Sequence, residues 1–478
     1  MVLQFPLSIA YKKIFLIAPE YKKFKASFTR GVHSAVYIEY NKKLTEKFWR
    51  QLIEKLTNDT KNPPFDLDLA EFHAVLASLA YEPDEVVDYV IAMWDRNIGL
   101  TYNRFGHEGC VITMVYSVEE EFVVLAFKGT SVLNFTEWLT DFTTRKMSAK
   151  NSVLPGMVHA GFYRAFGFAT RSKAIPHTQN EDTPSTKLID KADFNVEILG
   201  VGDRPGKGNN MYKSLHVVAE NSDGEYEEYE KYDGSGEDLM KAKLIYLKKI
   251  FEGKTPHLWI TGHSLGAATA TIFTSMLLWK KTKRGKISGF RGGVDIDSFK
   301  LHGTFTFGNP RVGDSDWKHT IEKILYPKPG QYQPKYQFWR IINANDIVCS
   351  VPPTILGSYL RQHDKSSGTP ALTLNDFNHL GKPVTLGYHG NFLNWQERTI
   401  FDVLWNLLKE WVSTPLVILH GSRKEKILAI LTIATLGMTG FVSDHSIGEY
   451  IKNLQIMKEK YAESQNSEEI FIAPTTDD

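Results

Sequence analysis

His257-Leu258-Trp259-Ile260-Thr261-Gly262-His263-Ser264-Leu265-Gly266-Ala267-Ala268-Thr269-Ala270 sets an apolar pentad directly before a glycine-flanked serine and a run of small residues. The pentad reads as a short buried strand, and Ala267 to Lys280 as a helix. A serine on the turn between them has the pattern of a nucleophile elbow, where flanking side chains would collide. Glycine at 262 and 266 removes those side chains and lets the helix approach the strand. The helix N-terminus also turns backbone N–H groups toward the place where an oxyanion would develop.

Working outward, the same alternation continues on both sides. Val111 to Tyr116 and Phe122 to Phe127 read as two strands joined by an acidic turn. Leu239 to Phe251 has helical spacing, and Phe299 to Phe307 and Gln337 to Asn343 read as further strands. Upstream, apolar residues from Leu67 to Leu79 recur at helical spacing within the stretch Asp66 to Trp94. Helices alternating with strands imply an α/β fold, a mostly parallel central sheet flanked by helices.

Residues 66–463 are expected to form this domain, interrupted by a long insertion over about 171–238. That insertion is rich in Asp, Glu, Asn, Gly and Ser and contains the acidic-aromatic run Glu225 to Glu230. Its apolar pieces Phe194 to Leu199 and Leu215 to Val218 can pair as strands. Residues 1–65 read as an N-terminal extension closed by the polar run Asn58 to Pro64, and 464–478 as a polar tail.

Composition narrows the functional classes. Of 478 residues 42% are hydrophobic, enough for a sizeable core, and the net charge of +1 argues against a broad nucleic-acid footprint. The two cysteines, Cys110 and Cys349, offer no zinc-ligand spacing, so no metal or cofactor is expected. Lys12 and Lys13 split the N-terminal apolar run, a poor signal peptide, which points to a cytoplasmic or peripheral membrane location. The uncharged run Ile427 to Val442 is shorter than the roughly 18 residues of a membrane span; it reads as a core element or a membrane-contacting segment.

A serine nucleophile needs a base, and the base needs an orienting carboxylate. In α/β-hydrolases the acid and the histidine follow the serine in that order. Asp346 is delivered to a loop by the apolar strand Phe338 to Ile342, with Asp314 and Asp316 as rivals. Candidate histidines are His363, His379, His389, His420 and His445. Of these, His445 lies on a late loop after the apolar run ending at Val442 and before a helical Tyr450 to Leu454.

Several separated blocks together resemble the class 3, or fungal-type, lipase family. They are Phe127-Lys128-Gly129-Thr130, Asn134 to Asp141 with Trp138, and Val158-His159-Ala160-Gly161-Phe162. Thr261 to Ala267, Thr306 to Gly313, Arg340 to Pro353 and Asp444-His445-Ser446 with Tyr450 follow in family order. The resemblance spans about residues 66–455. It implies an α/β-hydrolase fold and a Ser264-Asp346-His445 triad, with Thr130 and Leu265 as oxyanion-hole residues, and it assigns His389 to a structural strand. It further implies hydrolysis of carboxylic ester bonds of lipids, of acylglycerol lipase or phospholipase A1 type. Contact with a membrane or lipid-droplet surface goes with such a substrate.

The lid that the resemblance places after Thr130 has a physical signature. Val132, Phe135, Leu139 and Phe142 share one helical face, with Trp138 beside them, so the segment can cover an apolar acyl site. The chain departs from the family pattern in Lys128, where an arginine is usual, in the length of the insertion, and in the unmatched leader. A reading of another class also stands: a non-catalytic regulatory or membrane-associated scaffold that retains the fold.

Overall fold

Phe122 to Phe127 carries no polar residue, and a strand of that kind must be covered on both faces. The computed structural model describes residues 32–58, 64–107, 110–129, 146–148, 154–165, 218–220, 226–228, 250–251, 253–282, 299–327, 336–352, 376–387, 393–394 and 444–464. Four helices come first: α1 (Val32–Lys43), α2 (Glu46–Thr57), α3 (Leu67–Leu79) and α4 (Asp84–Trp94). Strands β1 (Leu100–His107), β2 (Cys110–Ser117), β3 (Phe122–Phe127), β4 (Lys146–Ser148) and β5 (Met157–His159) lead to α5 (Ala160–Ala165). The chain continues through β6 (Val218–Glu220), β7 (Tyr226–Glu228), β8 (His257–His263), α6 (Leu265–Thr282), β9 (Lys300–Phe307) and α7 (Ser315–Leu325). Then come β10 (Gln337–Asn343), β11 (Lys382–Leu386), β12 (Leu393–Asn394) and α8 (Ile447–Ser464).

The main sheet has the order β1-β2-β3-β8-β9-β10-β11-β12. From β3 to β11 every pairing is parallel, and β1, β2 and β12 are added antiparallel at the edges. This is the expected α/β-hydrolase architecture. Alternation along β3 divides the core: Phe122, Val124 and Ala126 face the side covered by α1 to α4 and α8, together with Trp259 and Phe305. Val123, Leu125 and Phe127 face the side covered by α6 and α7, with Ile260, Phe273 and Trp317.

Three sequence readings change in detail. The helical stretch over 66–94 is two helices, broken where Pro83 leaves the end of α3 and opens α4. Strand β1 was hidden by Asn103 and Arg104, which interrupt any apolar alternation. Asn103 Nδ2 donates to Tyr116 Oη at 3.0 Å, and Arg104 reaches Asp84 at 2.9 Å. In the insertion, β7 comes from the acidic-aromatic run and pairs with β6. Residues 194–199, 427–442 and most of 239–251 lie outside the described residues. No helix among the described residues is long and apolar enough to cross a membrane.

The described part of the leader belongs to the core. Tyr37, Tyr40, Leu44, Trp49, Leu52 and Leu56 are buried in one cluster with Phe72, Trp94 and Trp259. Trp49 Nε1 donates to Trp94 O at 3.0 Å, and Trp259 Nε1 donates to Leu56 O at 2.9 Å. Ion pairs tie the same layer. The buried carboxylate of Glu71 on α3 takes Lys43 of α1 at 3.0 Å and Lys458 of α8 at 2.6 Å. Trp49→Ala should therefore lower the stability of the whole domain by about 3–5 kcal/mol. A urea midpoint for the domain unchanged by this substitution would contradict the packing.

Candidate active site

Parallel registers decide where the chain leaves the sheet. Phe127 lies opposite Gly262, His263 opposite Phe307, and Phe307 opposite Ile341. Gly129, Ser264, Gly308 and the Asn343 to Asp346 turn therefore emerge at one edge, the carboxyl ends of the strands, where ligands collect in open α/β sheets.

Ser264 sits at φ +60°, a left-handed conformation that costs an L-residue roughly 1–2 kcal/mol. Its neighbours hold it there. The Ser264 N–H donates to Phe307 O at 3.0 Å, and its carbonyl accepts from Ala267 N at 2.9 Å. A Cβ on Gly262 would strike Gly266 O, and one on Gly266 would strike Phe127 O and stand 2.8 Å from Gly129 N. Only glycines allow β8, α6 and the end of β3 to meet. Leu265 begins α6 immediately after the serine, which leaves its N–H at the helix N-terminus.

Asp346 caps a single 3-10 turn, Ile347–Ser350, and is 1% exposed. Its Oδ1 accepts from Val348 N at 2.9 Å. Its Oδ2 accepts from Tyr450 Oη at 2.6 Å and from His445 Nδ1 at 2.8 Å. Burial first, then the Asp346 charge, push the pKa of Tyr450 well above the ordinary phenol range, so Tyr450 remains a donor. The Cys349 thiol, 3.7 Å from Oδ2, is pushed up by burial and then by the same charge, and it stays protonated.

His445 reaches the serine from the far end of the chain. Its loop is pinned to the end of β10: Asn343 Nδ2 donates to Asp444 O at 2.9 Å, and Asn345 N donates to Asp444 Oδ2 at 3.0 Å. His445 Nε2 then lies 2.9 Å from Ser264 Oγ. Because a carboxylate can only accept, Nδ1 carries the proton toward Asp346 and Nε2 accepts from the Ser264 hydroxyl. Gly308, at φ +59°, leaves room for the pair: a Cβ there would be 2.8 Å from His445 Cε1 and 2.9 Å from Asp346 Oδ2. A nucleophile, its base and the orienting acid thus stand in one hydrogen-bonded series.

The rival residues do other work. Asp314 caps α7, accepting from Trp317 N at 2.8 Å and from Met157 N at 3.0 Å, and Asp316 is exposed. His379 is buried, which pushes its pKa well below the ordinary imidazole range. Its Nε2 donates to Cys349 O at 2.8 Å and so backs the turn that carries Asp346. His363, His389 and His420 lie outside the described residues, as do Thr130, Val132, Phe135, Trp138 and Leu139. Gly129 is described and backs the nucleophile: a Cβ on it would be 3.2 Å from Ser264 Cβ. Sequence reasoning missed Tyr81 and the side chain of His263, which meet beside the serine with Tyr81 Oη 2.9 Å from His263 Nδ1.

Residues 207–356 match the class 3 lipase family model. The match holds Ser264 and Asp346, ends before His445, and begins inside the stretch read as an insertion. Triacylglycerol lipase OBL1 of Nicotiana tabacum is 24% identical over 323 residues, covering 63% of this chain and 52% of that one. Phospholipase A1-IIalpha of Arabidopsis thaliana is 25% identical over 118 residues, 25% of this chain and 24% of its own length. The chain spans about half the length of the first of these relatives. Among solved structures, nonglycosylated LIP2 lipase of Yarrowia lipolytica is 13% identical with a TM-score of 0.38, over 67% of this chain and 80% of that one.

Proposed function

We propose that this chain, similar to the class 3 lipase family over residues 207–356, hydrolyses carboxylic ester bonds in lipids, with Ser264 as nucleophile, His445 as base and Asp346 as orienting acid. One observation carries the proposal: Ser264 Oγ, the His445 ring and Asp346 Oδ2 are linked at 2.9 and 2.8 Å on a strained elbow. Ser264 Oγ attacks the acyl carbon while its proton passes to His445 Nε2. The tetrahedral intermediate collapses as that proton goes to the leaving alcohol, giving an acyl-serine. Water then attacks the acyl carbon, His445 takes its proton and returns it to Ser264 Oγ, and the fatty acid leaves. Asp346 stabilises the imidazolium in both halves without itself taking the proton.

The oxyanion is assigned to the backbone N–H groups of Leu265 and Thr130. Removing one such donor costs about 2.7–4 kcal/mol of transition-state stabilisation. The position of Leu265 at the start of α6 supports the first assignment, and the approach of Gly129 to Ser264 supports the second. The substrate class is acylglycerol or phospholipid, in keeping with the similarity to a triacylglycerol lipase and a phospholipase A1. A panel of mono-, di- and triacylglycerols and a diacyl phospholipid, read by fatty acid release, tests it. Release from at least one of these is expected, and a folded chain that turns over none of them overturns the proposal.

The segment from Val132 to Leu139 is proposed as a lid that exposes its apolar face at a lipid–water boundary. Hydrolysis of tributyrin should then rise more steeply once the substrate passes its solubility limit. A simple saturation curve running through that limit without a break would remove the lid from the account.

A further inference from the structure

Tyr81 lies at the break between α3 and α4, and its hydroxyl meets the elbow at the residue before the serine. Tyr81 Oη is 2.9 Å from His263 Nδ1, and the two rings meet edge-on at 5.8 Å. The other ring nitrogen, His263 Nε2, is 2.7 Å from the backbone carbonyl of His445. The His263 and His445 rings pack at 4.6 Å.

Hydrogen-bond chemistry orders this chain. A carbonyl only accepts, so His263 Nε2 carries the ring proton. The neutral ring then presents Nδ1 as an acceptor, and Tyr81 O–H donates to it. The hydroxyl also packs against Gly129, at the end of β3, where an added Cβ would strike it. Burial keeps the phenol protonated and able to donate. The series Tyr81 O–H to His263 to His445 C=O, with Gly129 packed on the Tyr81 hydroxyl, therefore links three segments: the strand end before residue 130, the elbow and the histidine loop. Tyr81, His263 and His445 are each less than one-tenth exposed, so water does not compete strongly for these bonds.

We infer that Tyr81 and His263 are positioning residues for the ester hydrolysis, holding the His445 loop and the oxyanion strand end in register with Ser264. This rests on the hydrolase reading above. Both act on geometry that matters at the transition state, so their loss lowers kcat and leaves KM in place.

The test uses the full chain and a soluble nitrophenyl ester, comparing wild type with Tyr81→Phe, His263→Leu, His263→Gln and the double variant Tyr81→Phe/His263→Leu. Tyr81→Phe keeps the ring and should lower kcat about 10- to 100-fold, with KM and the unfolding midpoint little changed. The double variant should cost no more than the worse single one, because both break one series. His263→Gln retains an amide donor for the His445 carbonyl and should keep at least about tenfold more kcat than His263→Leu. That pair decides the matter even if Tyr81→Phe does not fold. No turnover by the wild-type chain overturns the hydrolase reading and this inference with it. Wild-type turnover that Tyr81→Phe leaves within about twofold, or additive losses in the double variant, overturns this inference alone.

Discussion

Ser264→Ala should lower ester turnover by about 10⁶-fold while the chain folds as before. The substitution removes only Oγ, whose partner is His445 Nε2 at 2.9 Å. Nothing else in the elbow depends on that atom: the turn is held by Ser264 N donating to Phe307 O and by the close approach of Gly262 to Gly266. Alanine at φ +60° carries the same backbone strain as serine, so stability should change by no more than about 1 kcal/mol. Turnover and a urea midpoint measured on one preparation separate the two effects. Activity retained in a folded variant would remove Ser264 from the mechanism.

Asp346→Asn should cost about 10⁴-fold in kcat, and the hydrogen bonds around the carboxylate say why. The Oδ1 position faces the Val348 N–H at 2.9 Å, so an amide NH₂ placed there would meet another donor. The amide nitrogen is therefore driven to the Oδ2 position, where the Tyr450 hydroxyl can rotate away but His445 Nδ1 must now accept. That moves the ring proton to Nε2, which then points a donor at Ser264 Oγ and can no longer take its proton. Kinetics at neutral pH check the loss, and an NMR assignment of the His445 tautomer checks the cause. A variant within tenfold of wild type would mean that Asp346 does not set the tautomer.

The parts of this arrangement differ in how legible they are in the chain. Ser264 announces itself because the elbow is local: five residues, a strand before and small residues after. Asp346 and His445 can be reached from chain order and from the family blocks. Arg340 to Pro353 and Asp444 to Ser446 carry the resemblance, and the strand end and the α8 N-terminus then bring both side chains to the serine. Tyr81 and His263 could not be found that way, since they lie 182 residues apart and a tyrosine at a helix break has no periodic signature. The leader was obscured by its polar closing run, although Trp49 and Leu56 are built into the same core as Trp94 and Trp259. Strand β1 was obscured by Asn103 and Arg104, whose polarity is matched only across the fold by Tyr116 and Asp84. Local motifs survive translation into sequence, while contacts closed by topology do not.

The central claim is that Ser264 is a nucleophile activated by His445. Treating the full chain with a fluorophosphonate and mapping the adduct by mass spectrometry tests this most directly. The account predicts one adduct on Ser264 in the wild-type chain and none in Ser264→Ala, with labelling slowed by at least about 10³-fold in His445→Ala. A folded wild-type chain that takes up no label, or takes it up at a residue other than Ser264, would contradict it.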